Sequence, residues 1–118
     1  MKVAIALNGK RVSSVFDVAR HFALLSPEEG GGFARSDVSI DAQDGIETAE
    51  GVIELGVQVL ICGAISWPVE LTLNSAGLRV FSNIRGQIDD VYAAFIRNEL
   101  ERGAFSMPGC GGGGKSSI

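Results

Sequence analysis

The sequence lacks the features of several protein classes. Its longest apolar runs, residues 3–7 and 59–62, fall far short of the ~20 residues that a membrane-spanning helix requires. Neither charge sign dominates, because 10 lysines and arginines are interspersed with 14 aspartates and glutamates, giving a formal charge of −4. We therefore expect neither a membrane nor a nucleic acid as a partner.

Cysteine and histidine are also scarce. The two cysteines, Cys62 and Cys110, lie in an apolar run and in a glycine-rich tail, which is not the spacing of a disulfide framework, so we expect two free thiols. His21 is the only histidine, and no serine or cysteine has the context of an activated nucleophile. These absences predict a protein without enzymatic activity. No cleavable leader is recognisable after Met1, and we expect a cytoplasmic location.

What the sequence contains is typical of one small globular domain. Its 118 residues are 46% apolar, and we place the domain at residues 1–103. Residues 104–118 are predicted to be a flexible glycine-rich tail, because they have too little side chain to bury. Residues 109–116 match the phosphate-loop pattern, but only two residues follow them, which is too few for the helix that binds the phosphate. We interpret this match as a result of composition.

The hydrophobic pattern predicts five strands and three helices. Residues 2–7 are almost continuously apolar, which is typical of a central strand buried on both faces. A hairpin follows, and helices and strands alternate from Asp44 onward. The predicted strands are residues 2–7, 21–25, 33–40, 57–62 and 78–82. Asp44, with Glu47 three residues further on, is predicted to cap the first helix, and Ser66 is predicted to cap the second. The third predicted helix coincides with an apolar stripe over residues 88–100.

The third predicted helix has the clearest amphipathic pattern. Phe95 lies in the middle of its apolar stripe. Because truncation there would leave a cavity, we predict that Phe95→Ala lowers the free energy of unfolding by about 3 to 5 kcal/mol.

This order of elements predicts an α/β fold, a mixed five-stranded sheet with flanking helices. The first, fourth and fifth strands are expected to run parallel, with the hairpin extending one edge. Ligands of such sheets usually bind beyond the carboxyl ends of parallel strands. Here that rim consists of residues 8–9, 62–66 and 82–83.

Two thiols are candidate ligands for a soft metal. Cys62 ends a predicted strand and could reach the mouth of the site, although we favour a buried apolar role for it. Cys110 contributes nothing to packing in a glycine-rich tail, so it is either a reactive or metal-binding thiol or an incidental residue.

Polar and aromatic residues supply further candidates. Asp17, Arg20 and His21 form either a polar site or, as we favour, a surface ion pair beside a hydrogen-bonded histidine. Trp67 either anchors a partner or, as we favour, packs at the rim.

Three segments together resemble a known family. They are residues 12–22, 59–66 and 107–111, the last reading Met-Pro-Gly-Cys-Gly. With these segments, essentially the whole chain resembles the dinitrogenase iron-molybdenum cofactor biosynthesis family. The resemblance implies a ribonuclease H-like fold, with a five-stranded mixed sheet in the order 3-2-1-4-5. It also implies binding or carriage of an iron-sulfur or molybdenum-iron cluster precursor, with proteins of cofactor assembly as partners.

One position departs from the family pattern. Members implicated in cluster carriage have a histidine, a suspected cluster ligand, where this sequence has Val15. His21 lies six residues further on, at the start of the hairpin, and is not expected to replace it. Cluster binding is therefore implied by the resemblance. Its candidate metal ligands are Cys110, Cys62 and His21, and its further candidate cofactor-binding residues are Asn8 and Gly63.

Two other hypotheses remain open. The chain is alternatively a protein-interaction or regulatory module of the same fold that has lost cluster binding, which the valine at position 15 favours. Fold analogy alone suggests an enzyme of the ribonuclease H type, but the central strand lacks the carboxylates that would hold magnesium.

Overall fold

The structure is a computed structural model that describes residues 1–100, in which a mixed sheet carries three α-helices. The strands are β1 (Val3–Asn8), β2 (Arg11–Val12), β3 (His21–Pro27), β4 (Phe33–Ser39), β5 (Val59–Ile61) and β6 (Arg79–Phe81). The helices are α1 (Gly45–Glu54), α2 (Trp67–Ser75) and α3 (Ile88–Ile96), with a short 3₁₀ helix at Phe16–Val18. The tail and Cys110 lie outside the described residues.

In the described part of the chain the sheet has six strands, arranged β4-β3-β1-β5-β6 with β2 paired to β1 beside this path. β1, β5 and β6 run parallel, and the antiparallel β3–β4 hairpin extends one edge, as predicted. The predicted five-stranded sheet differs by the short strand β2. Gly9, with φ 65°, turns the chain back so that Val12 pairs with Leu7. A strand of two residues is too short to produce a recognisable alternation of apolar and polar residues in the sequence.

The central strand β1 separates two cores. Val3 and Ile5 point to one face of the sheet, which α3 covers, and we call this the α3 face. Ala4 and Ala6 point to the other face, which α1 and α2 cover, and we call this the α1–α2 face. All four side chains are buried, so the prediction of a strand buried on both faces is confirmed.

Close packing on the α1–α2 face depends on small residues. A Cβ atom added at Gly51 of α1 would lie 2.7 Å from Cγ2 of Ile40, so a larger residue there would force the Ile40 side chain to shift. Beneath the helices, the rings of Phe16 and Phe22 meet edge to face, with their centroids 5.8 Å apart. This arrangement ties the 3₁₀ helix to strand β3.

The last helix is shorter than its apolar stripe. α3 ends at Ile96, because Asn98 has a left-handed φ of 62° that turns the chain. Leu100 returns to the core with 2% exposure, whereas Ile96 is 55% exposed. The prediction of a helix extending to residue 100 is therefore wrong at its end, since the final apolar residue is buried through a turn.

Candidate functional site

The carboxyl ends of β1, β5 and β6 meet at one edge of the sheet, where three loops are joined through their backbones. The amide of Ala64 donates to the carbonyl oxygen of Ser14 at 2.8 Å, and the amide of Asn83 donates to that of Gly63 at 2.9 Å. The amide of Val12 donates to the carbonyl oxygen of Gly86, also at 2.9 Å. We call residues 8–16, 62–66 and 82–87 the rim. It contains the segments that the sequence placed there.

Gly63 is required at the rim by close backbone contact. A Cβ atom added there would collide with the carbonyl oxygens of Ser13 and Ser14. The loop after β1 can therefore pair with the loop after β5 only while position 63 carries no side chain. Close packing of the two loops is therefore sufficient to explain why residue 63 is a glycine.

The thiol of Cys62 lies in the core beneath the rim. Its side chain is 0% exposed and packs among the apolar residues of the α1–α2 face. Burial raises the pKa of this thiol well above its ordinary value, and the negative charges of Glu70 and Asp17 raise it further. A metal ligand must be the thiolate. The environment of Cys62 thus favours packing over metal binding.

His21 is exposed at the first position of β3, and its Nδ1 lies 3.0 Å from Oγ of Ser39. Its strand neighbours Ala23 and Leu25 point to the α3 face, so His21 points there too, while Cys62 points to the α1–α2 face. The structure therefore does not bring these two candidate ligands together.

The other candidate residues do not add a ligand set. Asn8 is exposed at the end of β1, directly before the Gly9 turn, and Cys110 lies outside the described residues. Within residues 1–100, no three histidine, cysteine, aspartate or glutamate side chains are grouped so that they could hold a metal ion. The described part of the rim therefore offers single candidate ligands and no complete ligand set.

A carboxylate that the sequence did not connect to the rim is held by Ser66, the residue before α2. Oδ2 of Asp17 accepts from Oγ of Ser66 at 2.6 Å, and Oδ1 accepts from its amide at 3.0 Å. Oδ2 would also lie 2.9 Å from a Cβ atom added at Gly45, the first residue of α1. Asp17 thus places a negative charge where two helices begin, which their dipoles stabilise. Ser66 was predicted to cap α2 with its side chain, which instead binds Asp17.

The predicted ion pair between Asp17 and Arg20 is wrong. The guanidinium Nη1 of Arg20 donates to the main-chain oxygen of Asp17 at 3.2 Å and to Oγ1 of Thr48 at 3.0 Å, and Nε donates to the oxygen of Ala42 at 3.0 Å. Arg20 therefore ties the 3₁₀ helix to the start of α1. This arrangement depends on residues far apart in the sequence, which local patterns do not reveal. His21, as expected, is hydrogen bonded.

Apolar side chains are exposed beside the rim. Trp67 is 72% exposed at the start of α2, so the expectation that it packs at the rim is wrong. Val18 is 70% exposed on the 3₁₀ helix, which the Asp17–Ser66 hydrogen bonds hold against the start of α2. Val15 is also exposed, and its backbone bridges to Ala64 of the rim. We call Val15, Val18 and Trp67 the apolar patch.

A groove of about 590 Å³ lies at the opposite edge of the sheet, between the β3–β4 turn and α3. Its lining includes Pro27, Phe33 and Tyr92 but neither histidine nor cysteine. The Tyr92 hydroxyl is buried without a hydrogen-bond partner among the described residues, and burial raises its pKa. Among residues 1–100 the groove offers no soft metal ligand, so we place the candidate site at the rim.

Comparison with known families identifies a matching family model. The sequence model of the family described as dinitrogenase iron-molybdenum cofactor matches residues 1–98 of the chain. Among proteins with curated descriptions, none matches the sequence.

Solved structures share the fold. The crystal structure of the protein PH0822 superposes with a TM-score of 0.79 at 21% identity, covering 93% of this chain and 96% of that one. The MJ0327 protein from Methanocaldococcus jannaschii gives 0.69 at 18% identity, covering 84% and 90%. The apo form of the orange protein from Desulfovibrio gigas gives 0.69 at 19% identity, covering 83% and 88%. At these identities the likeness shows the fold alone.

Proposed function

Because the chain belongs to the dinitrogenase iron-molybdenum cofactor family, we propose that it binds or carries an iron-sulfur or molybdenum-iron cluster precursor during metallocofactor assembly. The observation that carries the proposal is the family match, which spans residues 1–98 and so includes the whole sheet and all three helices. No helix among the described residues is long and apolar enough to cross a membrane. Non-enzymatic action, a ribonuclease H-like classification and a cytoplasmic location are parts of the same proposal.

The rim is the proposed place of the cargo. α3 begins beside it, and the partial positive charge of a helix amino terminus favours an anionic cluster. Asn8 and the backbone at Gly63 would contact the cargo, and His21 would supply an imidazole from the start of β3. Cys110 would supply a thiolate, since the thiol among the described residues, Cys62, is buried, with proteins of cofactor assembly as donors or acceptors.

Anaerobic reconstitution tests the proposal. The full chain is incubated with iron and sulfide, or with tetrathiomolybdate, and desalted, and its absorption and metal content are then measured. We expect a charge-transfer band and retained metal in the wild-type protein. A protein that stays colourless and metal-free with both reagents would contradict cluster binding.

Three substitutions assign the ligands. Cys110→Ser and His21→Ala are expected to lower metal retention without changing the melting temperature, because serine and alanine are poor ligands for soft metals. Cys62→Ser serves as the matched thiol control. It is expected to lower the melting temperature and keep the metal, because its thiol is buried. Metal loss in Cys62→Ser at an unchanged melting temperature would instead make Cys62 a ligand.

A second function is favoured by Val15 and the apolar patch. Exposed apolar side chains beside a binding rim are typical of contact with another protein. On this hypothesis the chain is an interaction or regulatory module that has lost cluster binding. It would co-purify with a partner in the absence of metal, and Trp67→Ser would abolish that association while the fold stays intact. Metal retention by the wild-type protein alone would contradict this alternative.

A further inference from the structure

Strand β4 has a free edge. Within residues 1–100 it pairs with β3 alone, and of its seven residues only Val38 is half-buried, the others being exposed. An edge strand of this length directs unpaired amide and carbonyl groups outward and can accept another strand. The sheet could therefore continue beyond β4.

The side chains of β4 alternate between the two faces of the sheet. Arg35 lies opposite Leu25, and Asp37 lies opposite Ala23, so both charged side chains belong to the α3 face. There Nε of Arg35 lies 2.9 Å from Oδ1 of Asp37. Val38 packs against the core of the α1–α2 face. One face of the strand is thus charged, and the other is small or apolar.

Symmetry restricts how two copies of β4 can pair. A two-fold axis relating neighbouring antiparallel strands must stand perpendicular to the sheet. Directly opposite residues point to the same face, whereas neighbouring residues of one strand point to opposite faces. The axis therefore cannot pass between two neighbouring residues and must pass through a position where one residue lies opposite its own copy. Each possible register is therefore defined by its central residue.

The middle of the strand gives a complementary register. β4 spans Phe33–Ser39, so its midpoint is Ser36, and only that centre pairs all seven residues. Arg35 then lies opposite the second copy's Asp37, and this pair occurs twice. On the other face, Ala34 lies opposite Val38. Centres at positions 35 or 37 would instead place two arginines or two aspartates in direct opposition, which is unfavourable.

We propose that two copies of this chain pair antiparallel through β4, centred on Ser36, with reciprocal ion pairs between Arg35 and Asp37. The two sheets would then be continuous across the molecular two-fold axis. The four charges would alternate in sign on the α3 face. The proposal does not rest on cluster binding, because the pairing uses none of the rim residues.

A charge exchange tests the pairing. Sedimentation is measured from about 1 µM to about 1 mM for the wild type, Arg35→Asp, Asp37→Arg and the double exchange. We expect a dimer in the wild type, weakened about tenfold or more by either single change, since each places like charges opposite one another. The double exchange is expected to restore association. Melting curves of all four proteins check folding, because Arg35 also lies 4.0 Å from Asp89.

Two outcomes of this experiment would overturn the proposal. One is a wild-type protein that stays monomeric across the series, in which case the Arg35–Asp37 pair protects the edge from association. The other is a dimer of equal affinity in all four proteins, which would place the interface elsewhere.

Cross-linking tests the register and does not depend on the charged residues. Ser36→Cys is introduced with Cys110→Ser, so that Cys62, which is buried, is the only other thiol. Opposite Cβ atoms in an antiparallel pair are about 4.5 to 5.5 Å apart, so mild oxidation is expected to join two copies. Ala34→Cys, whose partner would be Val38, is the matched control and should cross-link at least about tenfold more slowly. Equal rates would overturn the register centred on Ser36.

Discussion

The two faces of the sheet are covered to different extents. The α1–α2 face carries two helices and the 3₁₀ helix, whereas within residues 1–100 the α3 face carries one helix. The central strand matches this difference, because it presents Ala4 and Ala6 to the crowded face and the larger Val3 and Ile5 to the other. Crowding is thus accommodated by small side chains on the sheet.

The two faces also differ in how many of their side chains are held in hydrogen bonds and how many are exposed. On the α1–α2 face, Asp17 and Arg20 use side-chain hydrogen bonds to join the 3₁₀ helix to α1 and α2. On the α3 face, none of the described residues covers the outer part of the β3–β4 hairpin, where His21, Arg35 and Asp37 are exposed. Hydrogen bonds on the α1–α2 face therefore hold the segments next to the rim in place. On the α3 face, exposed side chains are available to ligands and to a second chain.

The largest expected effect is the loss of unfolding free energy when a phenylalanine is truncated, and this loss should differ between the two faces. Phe16→Ala removes a ring that is fully buried on the α1–α2 face, and the expected loss of unfolding free energy is about 3 to 5 kcal/mol. Phe95→Ala on the α3 face should cost only about 2 to 3 kcal/mol, because its ring is partly buried, which revises the expectation from sequence. Urea unfolding measures both. A greater loss for Phe95→Ala would reverse the comparison.

Removal of the Asp17 carboxylate should have the next largest effect. Asp17→Ala deletes both hydrogen bonds to Ser66, and the expected loss is about 2 kcal/mol, as for hydrogen bonds to a charged group. Asp17→Asn keeps one acceptor and is expected to lose less. Thermal unfolding at neutral pH compares the two variants. If both matched the wild type, the link between the 3₁₀ helix and α2 would not stabilise the fold.

Alkaline pH should lower the free energy of unfolding through Cys62, which is buried on the α1–α2 face. Its ordinary pKa is 9.0, and burial raises the pKa in the folded state. Above pH 9 the unfolded chain releases a proton that the folded chain keeps, so the free energy of unfolding should fall by about 1.4 kcal/mol per pH unit. Below pH 9 both states are protonated and this contribution is constant.

Cys62→Ala is the control for that pH dependence. It removes the titrating thiol while Tyr92, whose pKa burial also raises, stays in place. Urea unfolding between about pH 8 and pH 10 should therefore show a shallower decline in the variant than in the wild type. Identical slopes would show that the thiol does not drive the effect.

The smallest expected effect compares the caps of two helices. The side chain of Asp44 accepts a hydrogen bond from the amide of Glu47 at 2.9 Å at the start of α1, as the sequence predicted. Gln87 precedes α3 without a side-chain capping bond. Asp44→Ala should therefore cost about 1 kcal/mol, and Gln87→Ala should change stability by less than about 0.5 kcal/mol. Equal losses in thermal unfolding would contradict this difference between the helices.

Local patterns predicted the elements of this fold well. The Asp44 cap depends on Glu47, three residues away, and was therefore visible in the sequence. The parallel arrangement of β1, β5 and β6 followed from the alternation of helices and strands. In both cases the determining signal lies within a short stretch of chain.

The rim was harder to predict because it joins distant residues. Asp17 and Ser66 are 49 positions apart, and neither sequence context marks the other as its partner. His21 and Cys62 were grouped as candidate ligands of the cluster that the family resemblance implies. Side-chain alternation, which depends on register, sends them to opposite faces. The sequence placed the loops at the rim but could not orient their side chains.

The register of β1 has a consequence for synthesis of the chain. Val3 pairs with Leu25 on one side and with Val59 on the other. During translation the hairpin can join β1 early, but the opposite edge must wait until β5 has left the ribosome. Val59 follows Val3 by 56 positions, so at about 5 to 20 residues per second the delay counted from the synthesis of β1 is roughly 3 to 11 seconds. The nascent protein thus leaves the apolar edge of its central strand open to chaperones before the parallel half of the sheet can close it.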